Sequence, residues 1–382
     1  MKKILITILT LLTISCNETP KKKGDQTEKT SQKEWVTLFD GKSFDGWHQF
    51  NETKMSSAWY IVDDAMVFDP SKQMDKKQNN DLVTDMEYTN FELSLEWNIA
   101  EGGNSGIFWG VQEDGSISNP YLTAPEIQII DNQQISKISP MVDSSIALKV
   151  DSTGIVSAHD LMTNFYHKSL NYEHDYLFKA EVMGIEKKSN NFSIELKNYF
   201  NEIEKVESKW VINAAGLNSD IIGNFFDIDI PKLRFLKGSY FKLSSKWKNR
   251  FDRLIYPLPD AEHGSLGIHL TIDADGMARL GPDAEWCQNR EENYSVDESL
   301  INTFYEEGKK YLPDLEIDDL TPDYSGIRPK IYLEKDSMPD FYISHEIDRG
   351  LSGLINLIGI ESPGLTGSLA IGEDIAKMVI EN

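Results

Sequence analysis

Apolar and polar positions follow two different rhythms along this chain, and the change falls near residue 133. Between residues 35 and 132 the apolar runs are short and are broken by turn formers. Residues 35–39 are β-prone and lead into the turn Asp40-Gly41-Lys42. Trp59, Tyr60, Ile61 and Val62 are followed by Asp63-Asp64 and then by Ala65, Met66, Val67 and Phe68, which reads as two strands about a turn. Residues 91–97 alternate apolar and polar side chains, the period of a strand with one buried face. Residues 106–111 and 126–130 read as further strands. Short strands with Gly and Asn turns and no helix between them predict a sandwich.

After Asn132 helical and strand patterns alternate. A helix is predicted over 158–169, and a buried strand over 210–216 that enters a tight turn at Gly216. A second helix is predicted over 299–311, ended by Pro313, and a second buried strand over 354–359. Pro363-Gly364 reads as a turn opening a last helix over 368–381. Mixed ordering of this kind belongs to a different architecture from the front. No internal repeat is visible.

The first residues carry a separate signal. Lys2 and Lys3 precede an apolar run from Ile4 to Ile14, then Ser15-Cys16. That layout reads as an export signal. The run is too short for a stable membrane span. Thr13-Ile14-Ser15-Cys16 resembles a bacterial lipobox, in which Cys16 becomes the lipidated first residue; an ordinary signal peptide with a chance cysteine is the alternative. Residues 17–34 are nearly all polar or charged and read as a disordered tether.

Charge and cysteine content narrow the chemistry. The chain has 382 residues and a net charge of -24, with 62 acidic against 38 basic residues. Nonspecific nucleic-acid binding and adsorption to anionic lipid both need the opposite sign. No nucleic-acid partner is therefore expected, and membrane contact only through lipid at Cys16. Two distant cysteines, Cys16 and Cys287, make neither a disulfide framework nor a zinc site of known spacing, so no metal is expected.

In the front stretch several motifs occur in order. They are residues 38–42 (Leu-Phe-Asp-Gly-Lys), Asp45-Gly46-Trp47, residues 82–85 (Leu-Val-Thr-Asp) with Tyr88, Asn90-Phe91-Glu92-Leu93, residues 101–106 (Glu-Gly-Gly-Asn-Ser-Gly) and Pro125-Glu126-Ile127-Gln128. Together this stretch resembles the 3-keto-disaccharide hydrolase family. The resemblance implies a lectin-like jelly roll and an exported, sugar-active module. It runs from about 35 to 132, and the family domain continues further, so a truncated jelly roll is expected. Trp47, Trp59, Trp97 and Trp109 offer flat surfaces for sugar rings or for the core. Glu126 is the candidate site carboxylate, since an acidic residue within an inward strand needs a reason. It can bind a sugar hydroxyl, bind a metal, or act as a general acid/base.

The back stretch carries a second set of motifs. They include Asn213-Ala214-Ala215-Gly216, Gly238-Ser239-Tyr240-Phe241, Ile255-Tyr256-Pro257, Gly267-Ile268-His269-Leu270, Gly281-Pro282-Asp283, residues 326–330 (Gly-Ile-Arg-Pro-Lys) and residues 359–366 (Gly-Ile-Glu-Ser-Pro-Gly-Leu-Thr). This part resembles the L-2-hydroxyglutarate oxidase/dehydrogenase branch of the D-amino-acid-oxidase-like flavoproteins. The resemblance implies FAD as cofactor and oxidation of a 2-hydroxy acid. It implies Arg328 as the carboxylate clamp and His269 as the base, with Tyr256 and Lys330 orienting substrate. It places Asn213, Ala214, Ala215, Gly216, Gly359, Ser362, Gly364, Leu365 and Thr366 around the cofactor. Such enzymes begin with a strand, Gly-x-Gly-x-x-Gly and a helix that hold the FAD pyrophosphate, and no Gly-x-Gly-x-x-Gly run occurs in the 382 residues.

The expected fold is thus an α+β or α/β two-part chain. A partial jelly roll over 35–133 is followed, over 134–382, by an FAD-dependent oxidoreductase fold lacking its N-terminal Rossmann βαβ unit. The readings that follow are a hydroxy-acid oxidoreductase, an exported carbohydrate-active module, or an inactive product of a gene fusion. The front points to the bacterial envelope, whereas the back resembles enzymes of the cytoplasm.

Overall fold

The computed structural model describes residues 35–75, 78–89, 91–100, 103–151, 153–258, 267–332 and 339–381. The expected signal peptide, Cys16 and tether lie outside the described residues. The chain separates into two compact units. One takes the described residues up to Lys137 together with Ser144–Thr153; the other takes Ile138–Asp143 and the residues from Gly154 onward.

The front unit carries β1 (Trp47–Gln49), β2 (Trp59–Val62), β3 (Ala65–Phe68), β4 (Leu82–Thr84), β5 (Ser105–Phe108), β6 (Glu126–Asp131) and β7 (Ile146–Val150), with helix α1 (Asn132–Ile138) after β6. β1 pairs with β4 and β2 with β3, and β5-β6-β7 form a three-stranded sheet, all antiparallel. The predicted β2 and β3 are present, turning on Asp63 and Asp64 in the left-handed region, which Asp tolerates better than most residues. Two predicted strands are not. Residues 35–39 make no ladder, and Trp35 and Val36 are exposed. Residues 93–97 alternate in exposure, Phe91 is exposed, and the segment joins no strand among the described residues. Alternation reports which side faces water, whereas a strand also needs a backbone neighbour at ladder distance. Along β6, Ile127, Ile129 and Ile130 are buried.

The back unit adds α2 (Ala158–Ser169), β8 (Glu181–Lys187), β9 (Phe192–Lys197), β10 (Ile203–Ser208), β11 (Val211–Asn213), α3 (Ser219–Gly223) and β12 (Leu233–Leu243). It continues with β13 (Leu270–Ile272), β14 (Ala278–Leu280), β15 (Glu285–Trp286), α4 (Ile301–Lys309), β16 (Leu320–Ile331), β17 (Tyr342–His345), β18 (Leu354–Ile358) and α5 (Ser368–Glu381). Helix α2 keeps its predicted bounds. Ser157 caps it by accepting the Asp160 N–H at 3.2 Å.

Three sheets organise this unit. β8, β9 and β10 form an antiparallel meander. β11 runs parallel to β18, whose other edge pairs antiparallel with β17. The two predicted buried strands are therefore neighbours pointing the same way, and all five residues of β18 are buried. The largest sheet is built on the long antiparallel pair β12–β16, extended by β14, β13 and β15.

One face of that sheet packs the main core. Leu243, Phe241, Leu270 and Leu280 meet Trp247, Phe304, Leu312 and Leu315, all at most 1% exposed. Helix α4 turns Phe304 and Gly308 inward, one turn apart. A side chain at 308 would strike Leu280 and Leu315, so glycine lets the helix approach the sheet.

Candidate active site

The opposite face of the β12–β16 sheet carries the chemistry. Side chains directly across an antiparallel pair share a face. The register sets Arg234 against Lys330, Leu236 against Arg328, and Gly238 against Gly326; it then shifts at an irregularity between Ser239 and Phe241, beside which Tyr240 and Tyr324 lie. Their rings stack at 4.6 Å and 19°. The facing glycines leave a strip of sheet without side chains between Arg328 and the tyrosine pair. Pro282 closes over Gly238, whereas a side chain at 326 would meet nothing within 4 Å.

His269 sits next to this face. It immediately precedes β13, whose Leu270 lies on the core side with Leu280 and Phe241. Alternation turns His269 the other way. The ring is buried and stacks on Tyr256, centroids 4.2 Å apart and 18° from parallel. Nδ1 lies 3.1 Å from the Gly267 carbonyl. A carbonyl only accepts, so the proton belongs on Nδ1 and the lone pair on Nε2. Burial pushes the His269 pKa down, and the Arg328 charge adds to the fall against the Gly267 bond. The imidazole is thus neutral at neutral pH, ready to accept a proton at Nε2. Burial pushes Tyr240 up to about 12, with Tyr324 adding and Arg328 opposing. Its hydroxyl stays a donor.

The structure therefore brings Arg328, His269 and Tyr256 together, and adds Tyr240 and Tyr324. Tyr240 lies within the motif Gly238-Ser239-Tyr240-Phe241 and Tyr324 within none, and the sequence reading makes neither a site residue; the stacking of the two rings beside Arg328 is what brings them in. Lys330 has a different partner. Its ammonium lies 2.7 Å from Glu361 Oε1 and ties β16 to the loop after β18.

The residues expected around a cofactor lie at the carboxyl ends of β11 and β18, the end where open parallel sheets bind ligands. Ala214, Ala215 and Gly216 are exposed there, as are Ser362, Leu365 and Thr366. Gly216 adopts φ +57° with open space around it. Gly359 and Gly364 are there for packing, since a side chain at either would strike Ile331 or Ile360. Asn213 is buried and bonded internally. Its Nδ2 donates to the Ser219 carbonyl at 2.7 Å and to Asn356 Oδ1 at 2.8 Å, and Asn356 passes the network on to Glu346. These loops fit one side of a flavin ring. For the pyrophosphate the sequence offers no glycine-rich strand-to-helix turn, so the residues present do not fit the whole dinucleotide.

Glu126 belongs to the front unit. Its carboxyl folds across Gly106. Burial raises its pKa, and the negative Asp81 and Asp151 raise it further. The sequence reading missed His48, whose Nδ1 and Nε2 lie 2.7 Å from Asp85 and from Glu113. The Glu113 bond raises the His48 pKa against burial, and Asp85 adds to the rise. A raised folded-state value means that this contact stabilises fully below the unfolded value of 6.5 and fades as pH climbs through the folded value. The front unit should therefore melt at a lower temperature as pH rises from the mid-sixes through that window. His48→Gln should flatten the dependence; an unchanged slope in the variant would assign it elsewhere. Among the described residues no cluster of His, Cys, Asp or Glu is arranged to hold a metal ion. No described helix is long and apolar enough to cross a membrane.

Comparison with known families now places the chain. Residues 113–378 match the FAD dependent oxidoreductase family, and residues 34–154 match the 3-keto-alpha-glucoside-1,2-lyase-like domain. The first match covers more than half of the chain, which therefore belongs to the FAD-dependent oxidoreductases, a family whose cofactor is FAD. More particularly, it is a two-part chimera. A mitochondrial L-2-hydroxyglutarate dehydrogenase of Arabidopsis thaliana is 42% identical over 179 residues, 44% of this chain and 37% of that protein. A 3-keto-disaccharide hydrolase of Bacteroides thetaiotaomicron is 38% identical over 108 residues, 26% of this chain and 37% of that protein. The chain thus spans little more than a third of the length of either relative. Among solved structures, the FAD-bound L-alpha-glycerophosphate oxidase of Mycoplasma pneumoniae shares the fold with a TM-score of 0.57 at 20% identity, over 66% of this chain and 64% of that one.

Proposed function

We propose that the back unit binds a 2-hydroxy acid such as L-2-hydroxyglutarate on the Arg328–His269 face, and that these 382 residues alone do not oxidise it. The observation that carries this reading is the placement of a guanidinium and a neutral buried imidazole about a side-chain-free strip of sheet. Arg328 can grip a carboxylate with two parallel N–H bonds. The 2-hydroxyl then lies over Gly326, where His269 Nε2 can take its proton and Tyr240 can donate a hydrogen bond. The acceptor for the hydride is the part the chain does not hold, because its residues do not fit the FAD pyrophosphate. Calorimetric titration of the full chain with L-2-hydroxyglutarate tests the reading. Saturable one-to-one heat is expected, and no heat at millimolar ligand would sink it.

A second reading attaches to the front unit. Its family match and the raised Glu126 carboxyl favour a sugar-active site in which Glu126 donates or accepts a proton. With the N-terminal signal, that unit would be exported and held by lipid at Cys16. The two family matches overlap between 113 and 154, where a deletion joining two genes would leave such a seam. Loss of both parent activities would follow from it.

A further inference from the structure

We infer that Arg234 is the specificity-determining clamp for a second carboxylate, so that the Arg328 face selects hydroxy diacids over hydroxy monoacids. This rests on the hydroxy-acid reading above and deepens it.

A ligand with two negative charges needs a cation at each end if both are to leave water. The face offers several, and most are already neutralised. Lys330 is held by Glu361 at 2.7 Å. Arg279 is held by Asp273 at 2.7 Å and by Asp323 at 2.5 Å. Lys242 lies beyond the stacked Tyr240–Tyr324 pair, which separates it from Arg328. Arg234 differs. It has no carboxylate partner among the described residues, and its position places it on the Arg328 face.

The register fixes the spacing. Leu236 opposes Arg328 and Arg234 opposes Lys330, which makes Arg234 and Arg328 diagonal neighbours. Diagonal neighbours stand about 7–8 Å apart, a gap that two long side chains and a five-carbon diacid can bridge. The guanidinium is also held in place. It lies 4.6 Å from the Trp286 ring centre and 5.2 Å from that of Tyr332. Trp286 opposes Leu236 on β15, so the same face supplies the ring. Stacking orients the plane while leaving the N–H fork open, as bidentate recognition requires.

The test compares L-2-hydroxyglutarate with 2-hydroxypentanoate, equal in chain length but lacking the second carboxylate, by calorimetry on the full chain. The unaltered protein should bind the diacid at least tenfold tighter. Arg234→Met keeps an apolar stem against Trp286 and should bring the diacid down to the monoacid's affinity, leaving the monoacid unchanged. Arg234→Lys should restore part of the preference. Arg328→Met should weaken both ligands. Equal affinity of the unaltered protein for both acids, or a diacid preference that survives Arg234→Met, would overturn the clamp while leaving the hydroxy-acid site standing. Binding of neither acid would overturn both.

Discussion

Replacing Arg328 by methionine is expected to raise the Kd for L-2-hydroxyglutarate by about thirtyfold or more, since truncating one partner of a hydrogen-bonded charge pair costs about 2–5 kcal/mol. The side chain is half-buried beside His269 and Tyr240, where water screens less than at an open surface. Methionine keeps the volume and loses the fork, so folding should survive. The same change has a second signature. Arg328 helps to hold the His269 pKa down, so its removal should let that value rise. Proton NMR of the imidazole checks this, because a merely structural arginine would leave the His269 titration where it is. An affinity within a factor of three of the unaltered protein would place the carboxylate elsewhere.

The second large effect concerns stability. Phe241→Ala should destabilise the back unit by about 3–5 kcal/mol, the range for truncating a buried phenylalanine. Phe241 is fully buried and its ring centre lies 4.5 Å from that of Phe304, beside Leu270 and Leu280. The alanine leaves a void between sheet and helix that rigid neighbours on both sides cannot close. Against a total of about 5–15 kcal/mol for a typical protein, that is a large fraction. For a unit of this size the melting temperature should fall by roughly 6–20 °C, taking about 2–4 °C per kcal/mol. A thermal melt followed by near-ultraviolet circular dichroism reads it. A shift of a degree or less would mean that Phe241 does not anchor the core.

How much of this was legible beforehand depends on range. The hairpin at 59–68 and the helix at 158–169 are written in local spacing, and both formed with the expected bounds. The strand at 354–358 is apolar at four of its five positions, as a strand covered on both faces favours, and its one polar residue, Asn356, is buried and hydrogen-bonded to Asn213 and Glu346. Residues 91–97 carry an equally clear alternation in sequence yet join no strand ladder among the described residues, because ladder pairing is decided by a partner far along the chain. The long ladder between 233–243 and 320–331 has the same origin. Neither segment announces the other, and the bulge between Ser239 and Phe241 breaks the period locally. That is why Tyr324 and Arg234, which lie outside the motifs, and Tyr240, which lies inside one, are not legible as site residues in the sequence, while His269 and Arg328 are. Lys330 and Asn213 show the reverse. The family resemblance suggests ligand contacts, and in the fold both side chains have internal partners, Glu361 for one and Asn356 with Ser219 for the other.

The central proposal is that the back unit binds a hydroxy acid on the Arg328–His269 face while the chain's residues do not grip the FAD pyrophosphate. The visible spectrum of the purified full chain, taken after incubation with excess FAD and removal of the unbound cofactor, tests it most directly. The expected outcome is a colourless protein that still binds hydroxy acid. One tightly held FAD per chain, bleached on adding L-2-hydroxyglutarate, would contradict it.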